Sequence, residues 1–223
     1  MNPYKVQIEI EGMFAMWSRP DTGSTPTSYP IPTWSAAKGI FESIAFLFDG
    51  SAWIQPVKVE VCRHINNQDS RGEIRFQKYT TNYRGPLKEK NKSNFQFSAL
   101  VATNVCYRLY GVVQHGDGYI RTPGVNRVHQ LQAMFERRLK KGQCHKTPCL
   151  GWSEFTPSYW GEFRDEESNA DAKERTEKDK AFTYDMTSIL HNVFNHPVKG
   201  TYDPEFIQGE AAIINGGEFT YAK

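Results

Sequence analysis

The stretch SYPIPTWSAAKGIFESIAFLF, residues 28–48, decides how the chain is read. Pro30 and Pro32 hold its start extended, and Thr33 supplies the hydroxyl of a helix N-cap. Trp34, Ala37, Phe41, Ile44 and Phe48 then recur at helical spacing, which predicts an amphipathic helix from Thr33 to about Phe48. The other face carries Lys38 and Glu42 and ends in a bare alanine, Ala45.

Upstream, YKVQIEI (4–10) alternates as a half-buried strand. Between strand and helix, MFAMWSRPDTGSTPTSYPIP (13–32) reads as a long Pro, Ser and Thr-rich loop on the surface. Downstream, WIQPVKVEVCRHI (53–65) is a second strand, with Pro56 marking an edge or a bulge. RGEIRFQKYTTNYRGPLKEKNKSN (71–94) begins as a strand and turns into a basic loop. FQFSALVA (95–102) and NVCYRLYGVVQH (104–115) read as two further strands. A second helix lies in NRVHQLQAMFERRLKKGQ (126–143), where Val128, Leu131, Phe135 and Leu139 share a face and Gly142 ends it. CLGWSEF (149–155) is expected to supply the next strand.

This order predicts an α+β fold, a ferredoxin-like domain of the RRM type over residues 1–150 with a long basic β-hairpin. Residues 151–223 are expected to form a β-rich C-terminal extension, with a charged loop at 161–182 and a hairpin turn at NGG (215–217).

The net charge is only +2, but it is unevenly spread. Eight Lys or Arg against three acids lie between Arg63 and Lys92, and seven against one between Arg121 and Lys146. Nine acids between Glu162 and Asp185 offset them, so two stretches point to a polyanion partner despite the near-neutral total. No apolar run approaches a membrane span and the N-terminus has no signal-peptide pattern, so a cytoplasmic location and no membrane partner are expected. Cys62, Cys106, Cys144 and Cys149 are accordingly expected as reduced thiols.

Within the first basic stretch, Arg71, Arg75, Lys78 and Arg84 interleave with Phe76, Tyr79 and Tyr83, and Phe95 and Phe97 follow. Cations hold phosphates and aromatic faces stack on unpaired bases, but a solvated hairpin with ordinary sheet aromatics has the same composition. In the second, Arg137 and Arg138 near the helix end partly serve the helix dipole, while Arg121 and Arg127 precede the helix. GQCHKTPC (142–149) gathers Cys144, His145 and Cys149, yet a zinc site lacks a fourth ligand and paired short spacings, so no metal or cofactor is expected. His64, His115, His129 and His145 sit near basic stretches and could each serve in acid–base work.

Three blocks, MFAMWSRPDTGSTPTSYPIPTWSAAKGIFESI (13–44), AMFERRLKKGQC (133–144) and PCLGWSEF (148–155), with the later IINGGEF (213–219), resemble the CRISPR-associated Cas-five family in its subtype I-C form, a branch of the RAMP superfamily. The resemblance implies a ferredoxin-like subunit of a type I Cascade-type antiviral surveillance complex. Such a subunit holds the 5′ handle of the CRISPR RNA, caps the backbone filament, contacts the large subunit, and meets target DNA through the complex. The RNA contacts expected from the basic residues are Lys38, Arg71, Arg75, Lys78, Arg84, Arg121, Arg127, Arg137 and Arg138. Cutting members of the family process precursor RNA without metal, using a tyrosine, a lysine and a histidine. Here those positions are Ala45, Gln130 and Leu131. The expected role is therefore binding without cutting. The alternative is a metal-independent endoribonuclease with relocated groups, for which His129, His145 and Tyr29 are the candidates.

Overall fold

The computed structural model describes residues 4–62, 75–84, 94–116, 124–164, 183–194, 196 and 200–221. Its centre is an antiparallel sheet in the order β10-β2-β4-β1-β5, formed by β1 (Lys5–Ala15), β2 (Ala52–Val61), β4 (Asn94–His115), β5 (Tyr159–Gly161) and β10 (Glu218–Thr220). A sixth strand, β3 (Arg75–Arg84), pairs with residues 94–103 of β4, while β2 pairs with residues 107–115. Strands β2 and β3 therefore follow one another along one edge of β4. Two helices, α1 (Trp34–Ile44) and α2 (Arg127–Lys140), complete the layer, and the Phe41 and Phe135 rings meet at 5.7 Å between them.

The helix-facing side of the sheet carries Val6, Ile8, Ile10, Ile54, Val59, Leu109 and Val113, all buried. Gly111 of β4 is open because the Phe41 ring fills its place: a Cβ there would lie 3.1 Å from that ring and 2.7 Å from Ile54. Helix α1 starts as expected, with the Thr33 hydroxyl accepting from the Ala36 N–H at 3.2 Å. It ends four residues early. Ala45 leaves in extended backbone (φ −147), so Phe48 lies beyond the helix and is exposed instead of buried. Helix α2 buries Val128, Leu131, Phe135 and Leu139, as the periodicity predicts.

Several expectations are corrected. The strands expected at 95–102 and 104–115 are one strand of 22 residues; Asn104, at φ +52, sits where they join, a conformation asparagine tolerates better than most. Pro56 lies at a register shift of β2 against β4, the bulge that is one of its two expected settings. The ends of the 13–32 loop are core: β1 runs to Ala15, and Met16, Trp17, Tyr29 and Ile31 are buried. Tyr107 ties them together, its Oη accepting from Trp17 Nε1 (3.2 Å) and donating to the Pro30 carbonyl (2.6 Å). Residues 149–155 form turns, and the next strand begins only at Tyr159. Cys62 and Cys106, neighbours across β2 and β4 with Cα atoms 5.0 Å apart, form a disulfide; Cys144 and Cys149 are free.

Beyond residue 164 the described chain adds two small sheets, β6 (Tyr184–Asp185) with β9 (Ile213–Ile214), and β7 (Ser188–Phe194) with β8 (Tyr202–Gln208). β10 then returns to the free edge of β2. Ile189, Ile207, Ile214, Phe219 and Tyr221 share one apolar core with the main sheet and helices. No helix among the described residues is long and apolar enough to cross a membrane.

Candidate functional site

Where α1 ends, the chain leaves a cavity of about 320 Å³ between α1, the start of β2 and α2. Its wall includes Lys38, Glu42, Ala45, Phe48, Trp53 and Leu131. Ala45 and Leu131, each 1% exposed, are thus brought to one cavity from positions 86 residues apart in the chain. These are the positions at which the family resemblance expects a tyrosine and a histidine. A methyl group and an isobutyl group can neither take nor give a proton. Gln130, at the expected lysine position, is exposed and accepts from Arg127 Nη1 at 2.8 Å. The ionisable groups described in the wall are Lys38 and Glu42, paired at 2.5 Å one helical turn apart.

The loop after α2 docks against the end of α1. Helix α1 leaves carbonyls without intrahelical partners, and the incoming chain supplies donors. Arg138 Nη1 donates to the Ile44 carbonyl at 2.8 Å; the His145 and Lys146 N–H groups donate to the Ser43 carbonyl at 2.8 and 2.9 Å. This docking sets the His145 ring 5.6 Å from Phe46 and 5.4 Å from Phe48, and those two rings lie 4.6 Å apart.

Of the three relocated candidates, only His145 stands beside the cavity. His129 is exposed on α2, with its ring 6.1 Å from Tyr4. Tyr29 is fully buried elsewhere; its hydroxyl accepts from the Leu190 N–H at 3.2 Å, and burial pushes its pKa up, away from use as a base near neutral pH.

The basic residues divide between two places. Arg75 and Lys78 are exposed on β3, and Arg84 ends that strand. Lys38 lines the cavity, while Arg127 opens α2, 3.6 Å from Asp49, and Arg138 lies in its last turn, bonded to the Ile44 carbonyl. Arg137 is exposed on α2. Arg71 and Arg121 lie outside the described residues, as do His64 and most of the 161–182 segment. Two hairpin aromatics, readable either as base stacking or as ordinary sheet packing, are engaged internally: Tyr79 meets Phe155 at 5.1 Å, and Phe97 meets Trp152 at 5.9 Å.

Sequence reading missed a second polar assembly, on the sheet face away from the helices. Glu9 and Glu11 of β1 are 1% and 3% exposed. Arg164 Nε donates to Glu9 at 2.6 Å and its Nη2 to Glu11; Arg108 Nε donates to the other Glu9 oxygen at 3.0 Å. Tyr159 and Phe163 lie against the two guanidiniums. Burial works against the Arg164 charge, but the hydrogen bonds to Glu11 and Glu9 outweigh it, and its pKa lies above the ordinary value. The centre of this face is thus occupied by charge pairs, not by the exposed aromatics of a sheet that stacks bases. The only sequence signal was the i, i+2 spacing of Glu9 and Glu11, which reads equally well as a solvated strand face.

Comparison with known proteins agrees with this architecture. The Cas5d family model, described as CRISPR-associated protein (Cas_Cas5), matches residues 6–215. The CRISPR pre-crRNA endoribonuclease Cas5d of Thermus thermophilus is 30% identical over 164 residues, 70% of this chain; the chain spans 63% of that protein's length. The protein of the same name from Mannheimia succiniciproducens is 26% identical over 210 residues, 86% of each chain. A crystal structure of a CRISPR-associated protein has the same fold, with a TM-score of 0.64 at 16% identity over 98% of this chain and 92% of that one. With the family pattern running through nearly all of β1 to β9, the chain belongs to the CRISPR-associated Cas5 family in its Cas5d form.

Proposed function

We propose that this chain is a CRISPR RNA-binding subunit of a type I Cascade-type surveillance complex, holding the 5′ handle and capping the backbone without cutting precursor RNA. Within that assembly it meets the backbone and large subunits, and target DNA through them, in the cytoplasm. The strand order β2-β4-β1-β5 with two helices on one face supports a ferredoxin-like, RAMP-type domain over residues 1–150, with residues 151–223 as its β-rich extension.

One observation carries the binding-only part: Ala45 and Leu131 line the same cavity, where the family resemblance expects proton-transfer groups. Attack by a ribose 2′-hydroxyl on its neighbouring phosphate needs a base for the hydroxyl and an acid for the leaving oxygen. Lys38 and Glu42 are engaged with each other, and neither aliphatic residue can replace them. The phosphate contacts are assigned to Lys38, Arg71, Arg75, Lys78, Arg84, Arg121, Arg127, Arg137 and Arg138.

The second reading, a precursor-RNA endoribonuclease, has two supports: both relatives carry that name, and His145 stands beside the cavity. Incubating the purified chain with end-labelled repeat RNA in EDTA separates the two. A retarded complex with intact RNA is expected. Cutting at one position, lost in His145→Ala, would establish the nuclease, and no preference for repeat RNA over a scrambled sequence would remove the handle-binding role.

A further inference from the structure

Strand β4 changes neighbours once along one edge. Residues 94–103 pair with β3 and residues 107–115 with β2, and between the two runs Asn104 sits at φ +52. The Cys62–Cys106 disulfide lies at this junction, just past Asn104 on β4 and directly after β2. Its cysteines are 44 residues apart, so residues 63–105 form a covalent loop closed at the sheet. That loop contains β3 and the start of β4, and with them Arg71, Arg75, Lys78 and Arg84.

The basic hairpin thus has two fastenings. Along its length Tyr79 and Phe97 rest against Phe155 and Trp152. At its root the fastening is covalent, and only that one changes with redox state. A cross-link restricts the loop that it closes. With the bond open, hydrogen bonds alone hold the end of β2 in place, from the Cys62 N–H to the Cys106 carbonyl at 2.9 Å and from the Val61 N–H to the Gly217 carbonyl at 2.8 Å.

The two sulfurs are unequally placed, for Cys106 is 2% exposed whereas Cys62 is half-buried. An incoming thiolate therefore attacks Cys62 Sγ. It forms a mixed disulfide there, the Cys62–Cys106 bond breaks, and Cys106 leaves as a thiolate and takes up a proton. The second thiol of the reductant then attacks the mixed disulfide and frees Cys62, and the reductant departs as its own disulfide. Two electrons have passed from a dithiol to the pair, and a disulfide oxidant reverses the sequence.

We propose that Cys62–Cys106 is a reversible redox latch on the basic hairpin, closed for RNA binding and loosened by a dithiol reductant. A chain that works in the cytoplasm, as proposed above, meets reductants there, and disulfides in that compartment are usually transient or redox-sensing. The inference rests on the RNA-binding reading and adds its regulation. Linkage makes it quantitative: a state that binds RNA more tightly is favoured by RNA to the same degree.

The test titrates the chain in mixtures of dithiothreitol and its oxidised form, with and without saturating end-labelled repeat RNA. Cys144→Ser and Cys149→Ser in the background leave one pair to titrate. The oxidised chain should bind repeat RNA roughly 5- to 150-fold more tightly than the reduced chain, and RNA should lower the reduction potential of the pair by the matching amount, about 20–65 mV. Reoxidation should restore the affinity, and Cys62→Ser should bind like the reduced chain and ignore the reductant. Equal or reversed affinities of the two states would overturn the latch and leave the RNA-binding reading standing. A bond that dithiothreitol does not open in the folded chain would overturn it as well. So would loss of the cooperative melting transition on reduction, which would make the bond a staple of the whole fold. Failure of both states to bind repeat RNA would remove the latch and the RNA-binding reading together.

Discussion

Replacing Arg164 with alanine should leave two buried carboxylates short of their cation. Arg164 Nε and Nη2 reach Glu9 and Glu11, and its own N–H donates to Glu9 at 3.3 Å. Arg108 still faces Glu9, and the Ser158 hydroxyl lies 3.5 Å from Glu11, so the loss is partial. Removing one partner of a buried ion pair costs about 3–5 kcal/mol. The Arg164 side chain is 27% exposed, so water can relieve some of this, and about 2–4 kcal/mol is the expected loss. For a chain of this size that lowers the melting midpoint by roughly 5–15 °C. Denaturant unfolding of the wild type, Arg164→Ala, Glu9→Gln and the double variant would measure it. The double variant should cost less than the sum of the two single variants, because Arg164 and Glu9 bond to each other. A single-variant loss below about 1 kcal/mol, with no coupling in the cycle, would show the pair to be an ordinary solvated bridge and refute the reasoning.

Arg138 and Arg137, adjacent in sequence, should separate by experiment. Arg138→Ala should cost about 1–2 kcal/mol of stability, because it removes a charged donor from the Ile44 carbonyl. Arg137→Ala should leave stability unchanged while weakening RNA binding and lowering its salt dependence; equal effects of the two would contradict this division. His191 predicts an acid-side loss of stability. Among the described residues no hydrogen-bond partner reaches its Nδ1, and burial, opposed by Glu205, holds its pKa below the ordinary 6.5. The unfolded chain then binds the proton first, so the contribution is full above about pH 6.5 and declines as the pH falls toward the folded-state value. Melting midpoints of wild type and His191→Gln between about pH 7.5 and about pH 5.5 should converge on acidification; parallel curves would exclude His191 as the source.

Sequence alone determined the features that depend on neighbours along the chain. The start of α1 and the buried faces of both helices follow from caps and hydrophobic period, which act over a few residues. The three matched blocks likewise carried the family, and with it the positions Ala45, Gln130 and Leu131. Tertiary structure decided everything that joins distant residues. Helix α1 stops at Ile44 although its apolar period continues to Phe48; there the loop bearing His145 and the guanidinium of Arg138 receive its last carbonyls. That docking sends Phe48 outward and opens the cavity beside Ala45. The burial of Met16 and Trp17, the Cys62–Cys106 bridge and the closure of Arg164 over Glu9 and Glu11 have the same origin. Each depends on which strands become neighbours, and local propensity carries no information about partners 44 or 155 residues away.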